Sequence, residues 1–309
     1  QQGTDRALLR REINHFLSSP SYMLNCSLGA LFMIAVAVFS LIKSDWFIGV
    51  VTRMDEELLE YAPTFACLLL CLLSSMNILT APAISLEGKS LWIARSLPVT
   101  SWQILRAKLK LHMLFTAVPA LICSICFCIA LKPELLTMVV MIILPQIFTL
   151  LCAVSGLRVN IRMPNLTWSS ESGAVKQSLG IMLAMCLGWA YIIVLVAVYL
   201  FAVQVLPNVF ALMIATAVIA IITAISFSRL KRKGVKRFET LLIKLKNNSR
   251  GSLRITAVVF CDKQNIEVNK ISFADDNTKN YLTFRDLSCR GFASAAPISD
   301  SRKGCPYDS

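Results

Sequence analysis

From Gln177 to Ser228 the chain carries no charged side chain, and this apolar run is broken near its middle by Leu206-Pro207-Asn208. A helix crossing a bilayer needs roughly 20 apolar residues at about 1.5 Å rise each, so the stretch holds two spans joined by a tight turn. The same alternation of long apolar runs and short polar breaks continues upstream. It predicts six spans in all: Tyr22 to Ile42, Tyr61 to Pro82, Leu111 to Leu131, Leu135 to Leu157, Leu179 to Phe201 and Val209 to Phe227. Ahead of the first, Leu9, Ile13, Phe16 and Leu17 share one helical face while Arg6, Arg10 and Asn14 lie off it, the pattern of an amphipathic interfacial helix over Asp5 to Leu17. The expected fold class is an all-α integral membrane protein of six transmembrane helices. Its expected divisions are an interfacial segment at 1–20, a membrane domain at 21–242 and a polar tail at 243–309.

Composition agrees with membrane residence, since hydrophobic residues make up 56% of the chain and charged residues 16%, against about a quarter charged in globular proteins. The 31 Lys and Arg against 18 Asp and Glu would raise nucleic acid as a partner of a soluble domain. Here the basic residues gather at span ends and no nucleic-acid-binding motif accompanies them, so the partners expected are membrane lipids and not nucleic acid. Their distribution sets a topology. The connection 43–60 holds Asp45, Asp55, Glu56, Glu57 and Glu60 against Lys43 and Arg53, whereas 83–110 holds Lys89, Arg95, Arg106, Lys108 and Lys110 against Glu87. Basic segments recur at 158–177 and at Arg229, Lys231, Arg232, Lys233, Lys236 and Arg237. Basic loops stay in the cytoplasm, so both termini and both long basic loops are expected there, with the acidic loop outside.

No expected span keeps a charged residue. Proteins that hold one at mid-bilayer, at a cost of at least about 3 kcal/mol, use it for proton or ion coupling, and this chain shows no such engine. Energy for any uphill transport would have to arrive from a partner. His112, at the entrance to the third span beside Lys110, reads as a solvated interfacial imidazole, and His15 belongs to the amphipathic helix. Asn77, Gln146 and Gln204 read as polar groups that pair across helices. Eight cysteines (26, 67, 71, 123, 126, 128, 152 and 186) lie within apolar runs and read as small buried hydrophobes, even at Cys123 and Cys126 with their C-x-x-C spacing. Gly88-Lys89-Ser90 imitates the end of a phosphate-binding loop. The first glycine of that pattern would fall at Ala83, and a membrane helix rather than a strand precedes it, so no nucleotide, other cofactor, metal or catalytic group is expected.

Four stretches carry a family resemblance. They are Ile84-Ser85-Leu86-Glu87-Gly88-Lys89 with Leu91-Trp92 and Arg95-Ser96-Leu97-Pro98-Val99; Phe16-Leu17-Ser18-Ser19-Pro20 with Tyr22 to Asn25; Pro164-Asn165-Leu166-Thr167-Trp168 through Glu171 to Val175-Lys176-Gln177-Ser178; and Leu230 to Phe238. Together they resemble the ABC-2-type bacterial ABC exporter permeases, specifically the carboxy-terminal six-span half, over about residues 5 to 242. The resemblance implies a permease without an ATPase of its own, multi-pass in the inner (plasma) membrane and paired with a separate ABC ATPase subunit. It also implies a second permease half or a homodimer partner. By the same resemblance Glu87 to Ser96 is a cytoplasmic coupling helix, so Glu87, Gly88, Lys89, Leu91, Trp92, Arg95, Leu97 and Pro98 are expected to meet the ATPase. Pro164, Trp168, Glu171, Lys176 and Gln177 would form a second cytoplasmic loop.

Family members are commonly twice this length, and the chain opens on Gln1, so a partial chain is expected. Beyond Thr240 the resemblance stops. Ile255 to Cys261 is β-branched enough for a strand, and Cys261, Cys289 and Cys305 make no zinc pattern. A non-transporting membrane scaffold or signalling subunit is the alternative. An intramembrane enzyme is disfavoured because the spans lack the polar constellation such chemistry requires.

Overall fold

Prolines, short hydroxyl side chains and a few glycines set where the helices start and stop. The computed structural model describes residues 2–42, 56–92, 99–165, 179–243, 273–275 and 278–282. Helix α1 spans Gln2–Ser18. Ser19 takes an extended conformation and Pro20 occupies the first turn of α2, Pro20–Cys26, where its missing N–H leaves no bond unmade. Ser27 ends α2 and bonds back to Met23, so the expected first span is divided, and only α3, Leu28–Ile42, is a continuous apolar helix. The buried stripe of α1 also differs from expectation. It runs through Leu8, Glu12 and Phe16 while Leu17 is exposed, because Glu12 has a partner inside the protein.

Helix α4, Glu56–Ser75, takes Glu56, Glu57 and Glu60 out of the expected acidic loop into its first turns. It stops at Ser75 rather than Pro82. Met76 and Asn77 donate to carbonyls three residues back, and a run of turns leads into a 3-10 segment, Ser85–Trp92. Helix α5, Ser101–Leu131, begins well before Leu111 because Thr100 and Gln103 form a reciprocal capping box. Arg106, Lys108 and Lys110 therefore lie on a helix and not in a loop. Pro119, which has no N–H to give to the preceding turn, follows a π turn at Met113–Ala117. Lys132 closes α5 in the left-handed conformation, φ 47°, with its N–H on the Cys128 carbonyl.

The last three helices follow the expected limits closely at their starts: α6 at Leu135–Arg162, α7 at Leu179–Val203 and α8 at Asn208–Ile243. The basic run after Arg229 continues α8 through a second π turn, Leu230–Gly234. Helices α5 to α8 are long and apolar enough to cross a membrane, which marks a membrane protein; α3 and the Glu60–Ser75 part of α4 are shorter apolar helices.

Helix α6 is the axis of the packing, touching α4, α5, α7 and α8, while α3 lies along the second half of α5 and α1 along its first turns. Met33, Leu70, Met141, Leu144, Phe148, Leu151, Leu212 and Ile219 form the centre of one core, and Phe16, Tyr22, Leu79 and Leu111 a second beneath α1. Residues Gln1–Leu242 form one compact unit and Ile243–Ser309 another. In the second, Phe273–Asp275 and Thr278–Leu282 pair antiparallel, Phe273 opposite Leu282. The strand expected at Ile255 to Cys261 lies outside the described residues.

Candidate functional site

Helix α5 presents Ile104, Leu105, Lys108, Leu111 and His112 on one buried stripe, so its apolar face contains a lysine. Lys108 is 1% exposed. Its Nζ donates to Glu12 Oε2 of α1 at 2.9 Å, to Glu87 Oε1 of the 3-10 segment at 2.6 Å and to the Ala83 carbonyl at 3.0 Å. An ammonium has three N–H groups, and all three are engaged. Arg11, 3.6 Å from the same Glu87 oxygen, brings a second positive charge, so two cations balance two carboxylates. A further pair of links joins the same helices where Asp5 accepts from Lys110 at 3.3 Å and lies 3.5 Å from Arg106.

The 3-10 segment is held from a third side by α6. Asn160 Oδ1 accepts from the backbone N–H groups of Ile84 and Ser85 at 2.7 and 3.2 Å, while its Nδ2 donates to Ser85 Oγ at 2.7 Å. The Asn165 N–H reaches that hydroxyl at 3.0 Å. Tyr22 of α2 donates to the Leu79 carbonyl at 2.6 Å just upstream. Burial, aided by Cys26, Glu12 and Glu87 nearby, pushes the Tyr22 phenol well above its ordinary pKa and keeps it a donor. At the bend, Gly88 has φ 49° and ψ −130°, a conformation that only glycine adopts without strain.

These positions show how the described residues of the expected coupling segment are placed. Glu87, Gly88 and Leu91 are buried and face inward, and Glu87 spends its carboxylate on Lys108 and Arg11. Within the described residues, the part of the helix expected from Glu87 to Ser96 is a 3-10 segment over Ser85–Trp92 that bends at Gly88, and 93–96 lie outside the described residues. The backbone of Lys89 and Trp92 belongs to it, but their side chains lie outside the described residues, as do Arg95, Leu97 and Pro98 entirely. In the second loop Pro164 is described and half-buried, whereas Trp168, Glu171, Lys176 and Gln177 lie outside the described residues. His112 is fully buried rather than solvated, and neither ring nitrogen has a hydrogen-bond partner among the described residues. Asn77, two residues past the end of α4, accepts the Ala30 N–H of α3 at 3.0 Å.

Lys108, Glu12 and Asn160 were not among the expected site residues, although a signal was present. Each is a polar residue on the apolar stripe of its helix, Glu12 between Leu8 and Phe16 and Lys108 between Leu105 and Leu111. Chemically the arrangement is a joint. Its lysine has no N–H left for a ligand, and its charges tie α1, α5 and the 3-10 segment into one body with the end of α6. No protein-family model, curated protein or solved structure matches the chain.

Proposed function

We propose that the chain is the membrane-spanning permease subunit of an ATP-driven exporter, energised by a separate nucleotide-binding subunit and completed by a second permease half or a second copy. The observation that carries this reading is the fastening of Ser85–Trp92. Lys108 from α5, Arg11 from α1 and Asn160 from α6 all reach it, so a displacement of the segment is transmitted to three helices at once. Coupling an external ATPase to a membrane path needs such a rigid lever, since a floppy loop would absorb the motion. The six-span count, with α3 and α4 as the two shorter members, belongs to the same proposal, as do an inner-membrane location with cytoplasmic termini and a chain that performs no catalysis itself.

In this reading the inward residues Glu87 and Leu91 hold the lever, and Lys89, Trp92 and Arg95 meet the ATPase. A large aromatic in a pocket typically dominates such a contact, so Trp92→Ala should weaken ATPase pairing by roughly 2 kcal/mol and Lys89→Ala by clearly less. Co-purification of the ATPase with wild type and both variants in one detergent is the test. Recovery that Trp92→Ala leaves unchanged removes this residue from the coupling surface. Recovery of the ATPase without transport in reconstituted vesicles would favour the scaffold alternative.

A further inference from the structure

Where α6, α7 and α8 come together, near Asn160 and the 3-10 segment, they leave a cleft of about 450 Å³. Arg158 and Arg162, one turn apart at the end of α6, and Arg229 of α8 all line it. A second cleft of about 410 Å³ shares Ile225 and Arg229 with the first and adds Arg232 and Lys233. Like charges gathered around one cleft repel one another. Lys108, by contrast, is balanced by two glutamates. Here no carboxylate among the described residues lines either cleft, and none of the five cations has an ion-pair partner among them.

Ser155, Tyr191 and Ser226 also line the first cleft, and the rest of its lining is apolar. Leu187 of α7 with Ile222 and Ile225 of α8 form a wall, and Ile225 is half exposed on the bundle surface. A wall of this kind beside a cluster of guanidiniums matches a ligand with an anionic head and hydrocarbon attached to it. Arg158 and Arg162 lie in the last turns of α6 and Arg229 follows the apolar part of α8, the places where a helix long enough to cross a membrane meets the headgroups. Arginine suits the task because its planar fork binds phosphate oxygens in pairs.

We propose that this cleft binds the phosphate group of an anionic membrane phospholipid, with the lipid chains running along the Leu187–Ile222 wall. The proposal rests on the membrane character of α6 to α8 and is independent of the exporter reading: loss of ATPase pairing leaves it standing, and its own failure leaves that reading untouched.

The test is native mass spectrometry of the full chain in an uncharged detergent, titrated with phosphatidylglycerol or with phosphatidylcholine of the same acyl chains. Wild type should retain phosphatidylglycerol at least about tenfold more tightly, as a contribution on the order of 1 kcal/mol per basic residue implies. The double variant R158Q/R162Q should lose that preference. R6Q/R10Q, which removes equal charge from the exposed face of α1, should keep it. If R158Q/R162Q does not fold, R229Q alone decides, with a loss of several-fold expected. Equal retention of the two lipids overturns the proposal, as does a preference that survives both cleft variants or falls equally in R6Q/R10Q. Displacement of phosphatidylglycerol by millimolar inorganic phosphate would mean a free-anion site and would overturn the lipid assignment.

Discussion

Lys108 holds two buried carboxylates at once, Glu12 at 2.9 Å and Glu87 at 2.6 Å, and Arg11 also faces Glu87. Removing it leaves Glu12 and Glu87 buried and facing each other, and breaking one member out of a buried ion pair typically costs about 3–5 kcal/mol. Lys108→Met should therefore lower stability by about that amount, read as a fall in thermal unfolding temperature in detergent. Glu12→Gln should cost less, since Lys108 keeps Glu87. Combining the two changes should recover part of the loss, because the buried negative charge is then reduced to one that Arg11 still faces. A double variant no better than Lys108→Met alone would show that packing and not charge dominates here. Gly88 makes a separate case. At φ 49° any Cβ is strained, so Gly88→Ala should destabilise by about 1–3 kcal/mol and loosen the 3-10 segment, detectable as faster hydrogen exchange at Leu91.

Between elements, α3 approaches the end of α4 closely at Gly29. A Cβ built on Gly29 would collide with the Leu73 carbonyl and stand 3.0 Å from Asn77 Oδ1, which accepts the neighbouring Ala30 N–H. Gly156 of α6 is similarly crowded, with Thr80 Oγ1 at 2.7 Å from its would-be Cβ. Small residues at such crossings let backbones pack at short range where no hydrophobic force between helices operates in lipid. Backbone atoms cannot swing aside as a side-chain tip can, so Gly29→Ala should force α3 away from α4 and cost about 1–3 kcal/mol. Thermal unfolding of the variant measures it. A stability change under about 0.5 kcal/mol would mean that α3 shifts freely, and that the Asn77 bridge does not fix it.

For the molecule as a whole, the ends of the bundle differ. One carries the 3-10 segment, Arg158, Arg162 and the basic turns of α8; the other carries Lys132, Glu60 and Asn208, where Asn208 ties α8 to Thr64, Tyr199 and the Glu60 carbonyl. The basic end is expected inside. With the native thiols silenced, Ser90→Cys should resist a membrane-impermeant thiol reagent in intact cells, and Lys132→Cys should react. Labelling of position 90 from outside would invert the topology. It would also move the proposed lipid cleft to the outer leaflet.

Membrane residence and the starts of α6, α7 and α8 were legible in the sequence because they are local properties. A long uncharged run needs no distant partner to be helical in lipid, and Pro133 and Pro207 mark the breaks within a few residues. The early start of α5 was also local, in the Thr100 and Gln103 capping box, but the charges after it read as loop. The fate of those charges was decided by tertiary structure. Lys108 lies 96 positions from Glu12 and 21 from Glu87, and Asn160 lies 75 from Ser85, so only the folded arrangement of α1, α5 and α6 shows that these polar groups are buried and paired. The three arginines behind the proposed lipid site follow the same rule. Each reads singly as a span-end charge, and only the meeting of α6 with α7 and α8 makes them one site, because a charge's surroundings are set by whatever helix the fold packs against it.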